Sequence, residues 1–373
     1  MKKVLLVTGS MKIGGLNSVI VEHARMFLSA GCEVHIVLTS RKGELPEDLQ
    51  DKVHYLNLDN AESGLVMRLL YAIFRPFLKG IGNLFAEKRN RTIFENLMLD
   101  LGVSNEDMIV IHGFKVAAAF RGVCHPNLVK VMHEIQSEHA GGSGGWVRRI
   151  RYKLIAGCYE RGKRVAVSKA VRDDYLKVVG GKGVVAVIGN GVNVSALLEA
   201  SKTAPSMNHS RPYIVSVGRL VKVKGFDVLI RAYAKSDASH THDLVIVGEG
   251  KEREAISRLI RELGLDDQVY LAGYVKPPFR IVREADLYVG ASFHEGFGLA
   301  LLEAMSLGLP VIASRVSGFE EIMEANPECM FEAGDVDALA RLMDQVLQSD
   351  EKGRQVMPER YDFDEILKSY LLL

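Results

Sequence analysis

The chain has 373 residues, 48% of them hydrophobic, which supplies enough apolar side chains for the cores of two domains. Lys and Arg total 47 and Asp and Glu total 46, so the charge balance excludes a globally basic nucleic-acid-binding protein. Four scattered cysteines without a CxxC pair and a short first apolar run predict a reduced, cytoplasmic protein. No apolar stretch reaches the roughly 20 residues that span a bilayer, so we expect at most a peripheral membrane contact.

Short β-branched runs alternate with amphipathic segments along the whole chain. The runs predicted as strands are VLLVT, EVHIVLT, MIVIHG, LVKVM, RVAVS and VVAVI, followed by YIVSVG, DLVIVG, QVYLAG, DLYVGAS and PVIAS. Strands that are apolar on both faces and separated by helices are typical of parallel sheets covered on both sides. The sequence therefore predicts an α/β fold.

A polar segment at 189–212 interrupts this rhythm before a new strand begins at Tyr213. It predicts a boundary between a domain at 1–190 and a domain at 191–359. Residues 360–373 are predicted to form a helix with Asp362 as its N-cap, which packs back onto the first domain. Two open sheets that face each other across a cleft would bind ligands at the carboxyl ends of their strands.

The first motif at such a strand end is TGSMKIGGLNSVI, which places Gly14 and Gly15 at the start of a helix near Leu16. Paired glycines let the backbone approach a ligand, and the helix N-terminus offers N–H groups to a phosphate. An ordinary strand-to-helix turn shows the same pattern. The absence of GxGxxG weakens a nicotinamide interpretation.

The second motif is VSVGRLVKVKGFDVLI, where Arg219 and Lys224 follow the first strand of the second half and Gly225 opens the next helix. Two cations at a strand end can hold a diphosphate and neutralise the charge that grows on it as a leaving group. A single cation in a loop is usually solvated, but the pairing with a glycine and a helix start favours the phosphate site.

The third motif is ASFHEGFGLALLEAM, in which a helix is predicted to begin near Phe297, with Glu295 before it and Glu303 about two turns in. The carboxylates would then be about 9 Å apart along the axis, which matches a ligand with hydroxyls at both ends and a diphosphate between. The alternative for Glu295 is an acidic residue that the helix dipole favours near a helix N-terminus, and the alternative for Glu303 is an exposed helix position. A carboxylate buried within LALLEAM would be costly without a partner, which favours a ligand site.

Together, the glycine pair, GRLVKVKG, VGEG at 247–250 and the paired glutamates of EGFGLALLEA resemble the retaining glycosyltransferases of family 4 (glycosyl transferase group 1) over nearly the full chain. The resemblance implies the GT-B fold, two Rossmann-like domains facing across a cleft. The N-terminal domain would bind the acceptor and the C-terminal domain the nucleotide sugar. It implies retaining hexosyl transfer, modestly favouring a UDP-sugar, without a metal or other cofactor.

The resemblance also implies roles for single residues. Arg219 and Lys224 would hold the diphosphate, Glu303 the ribose, and Glu295 the donor sugar, while His133 in LVKVMHEIQ matches the active-site histidine beside that sugar. The implied donor-binding residues are Gly15, Gly218, Arg219, Lys224, Glu295, Phe297, Gly298, Leu299 and Glu303, with His133, Arg219, Lys224 and Glu295 as catalytic residues. The sequence departs from the family pattern at Leu16 and Asn17, where many members carry an acidic residue.

Two basic segments predict the acceptor. Arg68, Arg75 and Lys79 form a stripe in an apolar helix, and a second segment contains Arg148, Arg149, Arg151 and Lys153, followed by Arg161, Lys163 and Arg164. They suit an anionic, lipid-linked acceptor and peripheral contact with an anionic membrane. Snorkelling cations or a solvated basic face are the alternatives.

Family context implies synthesis of a bacterial surface polysaccharide, such as a lipopolysaccharide core, O-antigen or capsule, at the cytoplasmic face of the membrane. The alternatives are a GT-B-like sugar epimerase or phosphorylase, and a non-catalytic glycan- or lipid-binding protein. The Asp335/Asp337 and Asp362/Asp364 pairs are predicted as helix starts rather than as metal ligands.

Overall fold

The computed structural model describes residues 2–11, 15–58, 86–135, 153–154, 156–179, 183–207, 209–349 and 355–373. The chain divides into two compact units. The N-terminal unit comprises Met1–Asn190 and Ile366–Leu373, and the C-terminal unit comprises Gly191–Glu365.

The N-terminal unit contains a seven-stranded sheet in the order β3-β2-β1-β4-β5-β6-β7. All of its neighbouring strands are parallel. The strands are β1 Lys3–Thr8, β2 Glu33–Leu38, β3 Val53–Tyr55, β4 Met108–His112, β5 Leu128–Met132, β6 Lys163–Ala166 and β7 Ala186–Val187.

Helices accompany this sheet, and their apolar faces bury against it. In the first helix, Ile20, Ala24 and Phe27 recur at helical spacing and are fully buried, which is the pattern of a helix with one face in the core. The helices are α1 Gly15–Ser29, α2 Glu87–Asp100, α3 Phe114–Ala119 and α4 Lys169–Val179, with a 3₁₀ turn at Glu47–Lys52.

The C-terminal unit contains a six-stranded parallel sheet in the order β10-β9-β8-β11-β12-β13. The strand order reverses between β8 and β11, and open sheets of this kind bind ligands beside such a reversal. The strands are β8 Tyr213–Val217, β9 Asp243–Val247, β10 Val269–Gly273, β11 Leu287–Gly290, β12 Val311–Ser314 and β13 Met330–Phe331.

The helices of the C-terminal unit close a core built around Leu229, Tyr233, Leu244 and Ile246, all of them fully buried. They are α5 Val194–Thr203, α6 Phe226–Lys235, α7 Ala238–Thr241, α8 Arg253–Glu262, α9 Phe279–Arg283, α10 Leu299–Ser306, α11 Ser317–Ile322 and α12 Val336–Gln348. The last helix of the chain, α13 Phe363–Leu371, belongs from Ile366 onward to the N-terminal unit. There are 3₁₀ turns at Lys222–Lys224, Pro327–Cys329 and Glu359–Tyr361.

The prediction of an α/β fold with parallel sheets is confirmed. Strands β3 and β13 were missing from the predicted set because the segments VHY and MF do not stand in longer β-branched runs, whereas the two-residue β7 stands in the run VVAVI. The last helix begins at Phe363, after a 3₁₀ turn, and the N–H of Asp364 donates to Oδ1 of Asp362 at 3.0 Å. Asp362 is therefore the N-cap of this helix, as predicted. The side chain of Tyr370 on this helix contacts His23 and Phe27 of α1.

Candidate functional site

The candidate residues of the C-terminal unit lie on loops that follow β8 and β11, with the loop after β9 beside them. Because the strands are parallel, their carboxyl ends meet at one edge of the sheet. Backbone hydrogen bonds join the loops: Phe293 N donates to Val223 O at 2.8 Å, and Leu220 N donates to Glu249 O at 2.9 Å. The motifs that are separate in the sequence therefore form one connected backbone surface.

Two glycines allow these loops to touch. Gly225 has a φ of +62°, and a Cβ there would lie 2.1 Å from the carbonyl oxygen of Ala291. Gly318, after β12, donates its N–H to Glu295 O at 3.1 Å, and a Cβ there would lie 2.5 Å from that oxygen. No larger residue fits either position without moving backbone. Gly225 opens α6 as predicted, whereas Gly318 lies outside the predicted set.

Lys224 and Glu295 form an ion pair at this edge of the sheet. Lys224 Nζ lies 2.5 Å from Glu295 Oε2, and the two side chains are 24% and 19% exposed. Partial burial reduces the screening of such a pair by water and salt. Arg219, on the same loop as Lys224, is exposed. The residues predicted for the diphosphate and for the donor sugar are thus in direct contact with each other.

The helix that carries Glu303 begins later than predicted. The expected start was near Phe297, but Gly298 has a φ of +107°, which is incompatible with a right-handed helix, so α10 begins at Leu299. The backbone nitrogen of Phe297 lies against Gly318, where a Cβ would be 2.8 Å away, and its ring contacts Tyr361 at 5.3 Å. The free N–H groups of the helix N-terminus are therefore those from Leu299 onward.

Glu303 lies in the second turn of α10, about 6 Å along the axis from Leu299 rather than the predicted two turns. Its side chain is half-buried and interacts with another group of the protein. Burial is the largest cause that raises the pKa of Tyr288 on β11. The negative charges of Glu295 and Glu303 raise this pKa further. Both glutamates therefore lie near the same tyrosine.

His133 follows β5 in the N-terminal unit, and its ring is half-buried. Its Nε2 lies 2.9 Å from Nδ1 of His112, the fully buried last residue of β4. Desolvation by burial lowers the pKa of His133 to about 4, although the carboxylate of Glu134 acts in the opposite direction. The imidazole is therefore uncharged at neutral pH. His112 lies outside the predicted set, although a histidine at a strand end was a usable signal.

Gly15 is the first residue of α1 and is exposed. A Cβ built there would meet no heavy atom of the described residues within 4 Å. The predicted helix start near Leu16 is confirmed. The role predicted for Gly15 toward a phosphate stays a prediction, as does the role of His133 toward the donor sugar.

Most of the predicted acceptor residues lie outside the described part of the chain, namely Arg68, Arg75, Lys79, Arg148, Arg149 and Arg151. Of the cations that follow them, Lys163 is the first residue of β6 and pairs in register with Val129. It therefore lies at the amino-terminal edge of the sheet, whereas His133 follows the carboxyl end of β5. Lys163 donates to Asn127 Oδ1 at 3.1 Å, so the structure does not support a role for it beside His133.

The predicted helix starts at the two aspartate pairs are confirmed. Asp335 Oδ1 accepts a hydrogen bond from Ala338 N at 2.9 Å and caps α12, and Asp362 caps α13. Within the described residues, no group of three or more His, Cys, Asp or Glu side chains has the geometry to hold a metal ion. No helix in the same part of the chain is long and apolar enough to cross a membrane.

Two family models match the chain, and their matches meet within the polar segment at 189–212. Residues 13–196 match the model described as Glycosyltransferase Family 4, and residues 199–361 match the model described as Glycosyl transferases group 1. The second match contains the loops after β8, β9, β11 and β12 that form the sheet edge described above.

Curated proteins of several organisms are similar to this chain. An uncharacterised glycosyltransferase of Methanocaldococcus jannaschii is 29% identical over 60% of this chain and 61% of its own length. A lipopolysaccharide core biosynthesis glycosyltransferase of Rhizobium meliloti is 27% identical over 52% of this chain and 59% of its own length. The matched region thus spans about three-fifths of the length of these relatives.

A solved structure extends the likeness to the whole fold. The crystal structure of Anabaena HepE in complex with UDP and glucose matches with a TM-score of 0.74, covering 100% of this chain and 99% of that chain, at 17% sequence identity. At this identity the match concerns the fold alone. With its two Rossmann-like parallel-sheet units, the chain has the GT-B fold.

Proposed function

We propose that this chain, which has the GT-B fold, is a glycosyltransferase that transfers a hexosyl group from a UDP-sugar to a glycan or lipid-linked acceptor with retention at the anomeric carbon. One observation carries this proposal. One edge of the C-terminal sheet carries four groups that can bind such a donor. They are the cation of Lys224, the carboxylates of Glu295 and Glu303, and the helix N-terminus at Leu299.

The charged groups at this edge match the chemistry of the parts of a nucleotide sugar. Lys224 and Arg219 follow β8 and can hold the diphosphate, which the N–H groups at the start of α10 also favour. Glu303 is proposed to accept hydrogen bonds from the ribose hydroxyls and Glu295 from hydroxyls of the donor sugar, because carboxylates accept from paired hydroxyls and repel phosphates.

The proposed chemistry is mainly electrostatic. When the bond to the anomeric carbon breaks, negative charge develops on the departing diphosphate, and Lys224, Arg219 and the start of α10 stabilise that charge. The leaving phosphate takes the proton of the acceptor hydroxyl, so the step needs neither a protein nucleophile nor, in this proposal, a metal ion. His133, uncharged at neutral pH, is proposed to hydrogen-bond the donor sugar.

Two similar proteins support the choice of donor and pathway. A UDP-sugar donor is supported by a structural neighbour that holds UDP and glucose. A relative named for lipopolysaccharide core biosynthesis supports a role in bacterial surface polysaccharide synthesis. We propose that this takes place at the cytoplasmic face of the membrane, on an acceptor bound by the N-terminal unit.

The test is a panel of UDP-, GDP- and ADP-sugars incubated with the purified chain, with and without membrane extract. We expect nucleotide release from a UDP-sugar that depends on the extract. Lys224→Ala should abolish most of this release, while Lys222→Ala, an exposed cation on the same 3₁₀ turn, should preserve it. Conversion of the donor to an altered free nucleotide sugar, without acceptor and without release of nucleotide, would instead indicate an epimerase. Inertness toward every donor would indicate a binding protein.

A further inference from the structure

Four aromatic rings form a continuous column in the N-terminal unit, with His133 at one end. The rings of His133 and His112 are stacked with centroids 5.2 Å apart. His112 meets His23 of α1 edge-to-face at 5.2 Å, and His23 meets Tyr370 of α13 edge-to-face at 5.1 Å. The column thus joins the end of β5 to β4, to the first helix and to the last helix of the chain.

The inner rings of the column have almost no polar partners. His112 is fully buried and His23 is 3% exposed. Within the described residues, Nε2 of His112 and both ring nitrogens of His23 are buried without a hydrogen-bond partner. Leaving such groups unpaired is costly. Within the described residues, the rings of the column share one hydrogen bond, between His112 Nδ1 and His133 Nε2 at 2.9 Å.

The burial of these rings keeps them uncharged. Desolvation is the largest cause that lowers the pKa of His23 to about 3 and the pKa of His112 well below its usual range. The titratable groups that face the column are its own three histidines and Tyr370, with Glu134 beside His133. A neutral imidazole has one N–H and one bare nitrogen, so only one of the two rings can donate across the 2.9 Å contact.

The unpaired nitrogen of His112 decides which ring donates. If Nδ1 of His112 carries the proton, it donates to Nε2 of His133, and the buried Nε2 of His112 is left as a bare acceptor. If Nε2 carries the proton instead, a buried N–H is left without an acceptor in the described structure. In native proteins, buried N–H groups without an acceptor are rarer than buried acceptors without a donor. The first arrangement is therefore favoured.

We propose that His112 is a positioning residue that holds the His133 ring in one orientation and keeps its proton on Nδ1. This inference rests on the proposed role of His133 beside the donor sugar. Its consequence is that His133 offers an N–H donor to a sugar hydroxyl and is not the base that accepts the acceptor proton. The stacked contact with His112 and the ring of His23 behind it prevent His133 from rotating freely.

The test is nitrogen NMR of the full-length chain labelled with ¹⁵N-histidine, with the His133 signals identified by their loss in His133→Gln. In the unsubstituted protein at pH 7.5, we expect a protonated Nδ1 and a bare Nε2 on His133. A proton on Nε2 would overturn the proposal, and this measurement requires no substitution of His112. It also uses no donor or acceptor, so its result is independent of whether the proposed transfer is found.

Two substitutions separate positioning from simple packing. His112→Leu is expected to turn the His133 spectrum into a mixture of both tautomers and to lower kcat about fivefold, the factor for one lost hydrogen bond, with an unchanged KM. His112→Asn keeps an N–H donor near the position of Nδ1. We expect this variant to show the single His133 tautomer and the kcat of the unsubstituted protein. Loss of kcat in both variants with an unchanged His133 tautomer would contradict the proposal.

Discussion

Lys224 Nζ lies 2.5 Å from Glu295 Oε2, across 71 positions of sequence, at the carboxyl edge of the C-terminal sheet. One of these residues is proposed to bind the diphosphate of the donor and the other its sugar. In the structure each is the partner of the other. If Lys224 binds the diphosphate as proposed, Glu295 and a phosphate oxygen compete for the same ammonium group.

This relationship predicts an unusual effect of Glu295→Gln. We expect the affinity for free UDP to rise by up to about fivefold, because Lys224 loses a competing partner that contributes about 1 kcal/mol. Transfer from the UDP-sugar should fall at the same time, because the sugar hydroxyls lose a charged acceptor. Calorimetric titration with UDP measures the first effect.

The control is Glu284→Gln, which removes an exposed carboxylate that pairs with Arg280 on α9, away from this edge. It should leave the affinity for UDP unchanged. Weaker binding of UDP by Glu295→Gln would show that Glu295 does not compete for Lys224.

Glu303→Gln is expected to weaken UDP and the UDP-sugar by the same factor, because the ribose is common to both. The loss should be about tenfold, as for a charge-assisted hydrogen bond of about 1.5 kcal/mol. Dissociation constants for the two ligands measure it. A loss confined to the UDP-sugar would assign Glu303 to the sugar instead of the ribose.

Gly225→Ala should lower the free energy of unfolding of the C-terminal unit more than Gly264→Ala, the matched substitution at a glycine of similar backbone conformation. Gly225 and Gly264 have φ values of +62° and +67°, but only at Gly225 would a Cβ meet a neighbour, Ala291 O at 2.1 Å. Each alanine should cost about 1–2 kcal/mol for its left-handed conformation, and Gly225→Ala about 1–3 kcal/mol more for the clash. Urea denaturation compares them, and equal losses would refute the loop contact.

The histidine column predicts acid sensitivity. The pKa of His23 is about 3 in the folded chain and about 6.5 in the unfolded chain, so below pH 6.5 the unfolded chain binds more protons and the free energy of unfolding falls. His23→Phe should make this fall less steep by up to about 1.4 kcal/mol per pH unit between pH 6 and 4. Urea denaturation at several pH values measures the slope. Tyr370→Phe, which removes no group that titrates in acid, should keep the original slope.

Local sequence was sufficient for the α/β class and for most of the strands. Runs such as MIVIH and DLVIV are apolar on both faces, and this pattern depends only on the burial of single strands. The helix caps at Asp335 and Asp362 were predictable for the same reason, since a cap is a contact within three residues. The start of α10 was predicted wrongly, because the left-handed Gly298 delays it to Leu299.

The partners of the candidate residues were decided only by the tertiary structure. Lys224 meets Glu295 because β11 lies beside β8 in the sheet, and His112 meets His133 because β4 lies beside β5. Gly318 belongs to the site through a contact that its own sequence does not mark. A sequence pattern reports the burial and periodicity of one segment. Contacts between distant loops depend on the order and register of strands, which a single segment does not encode.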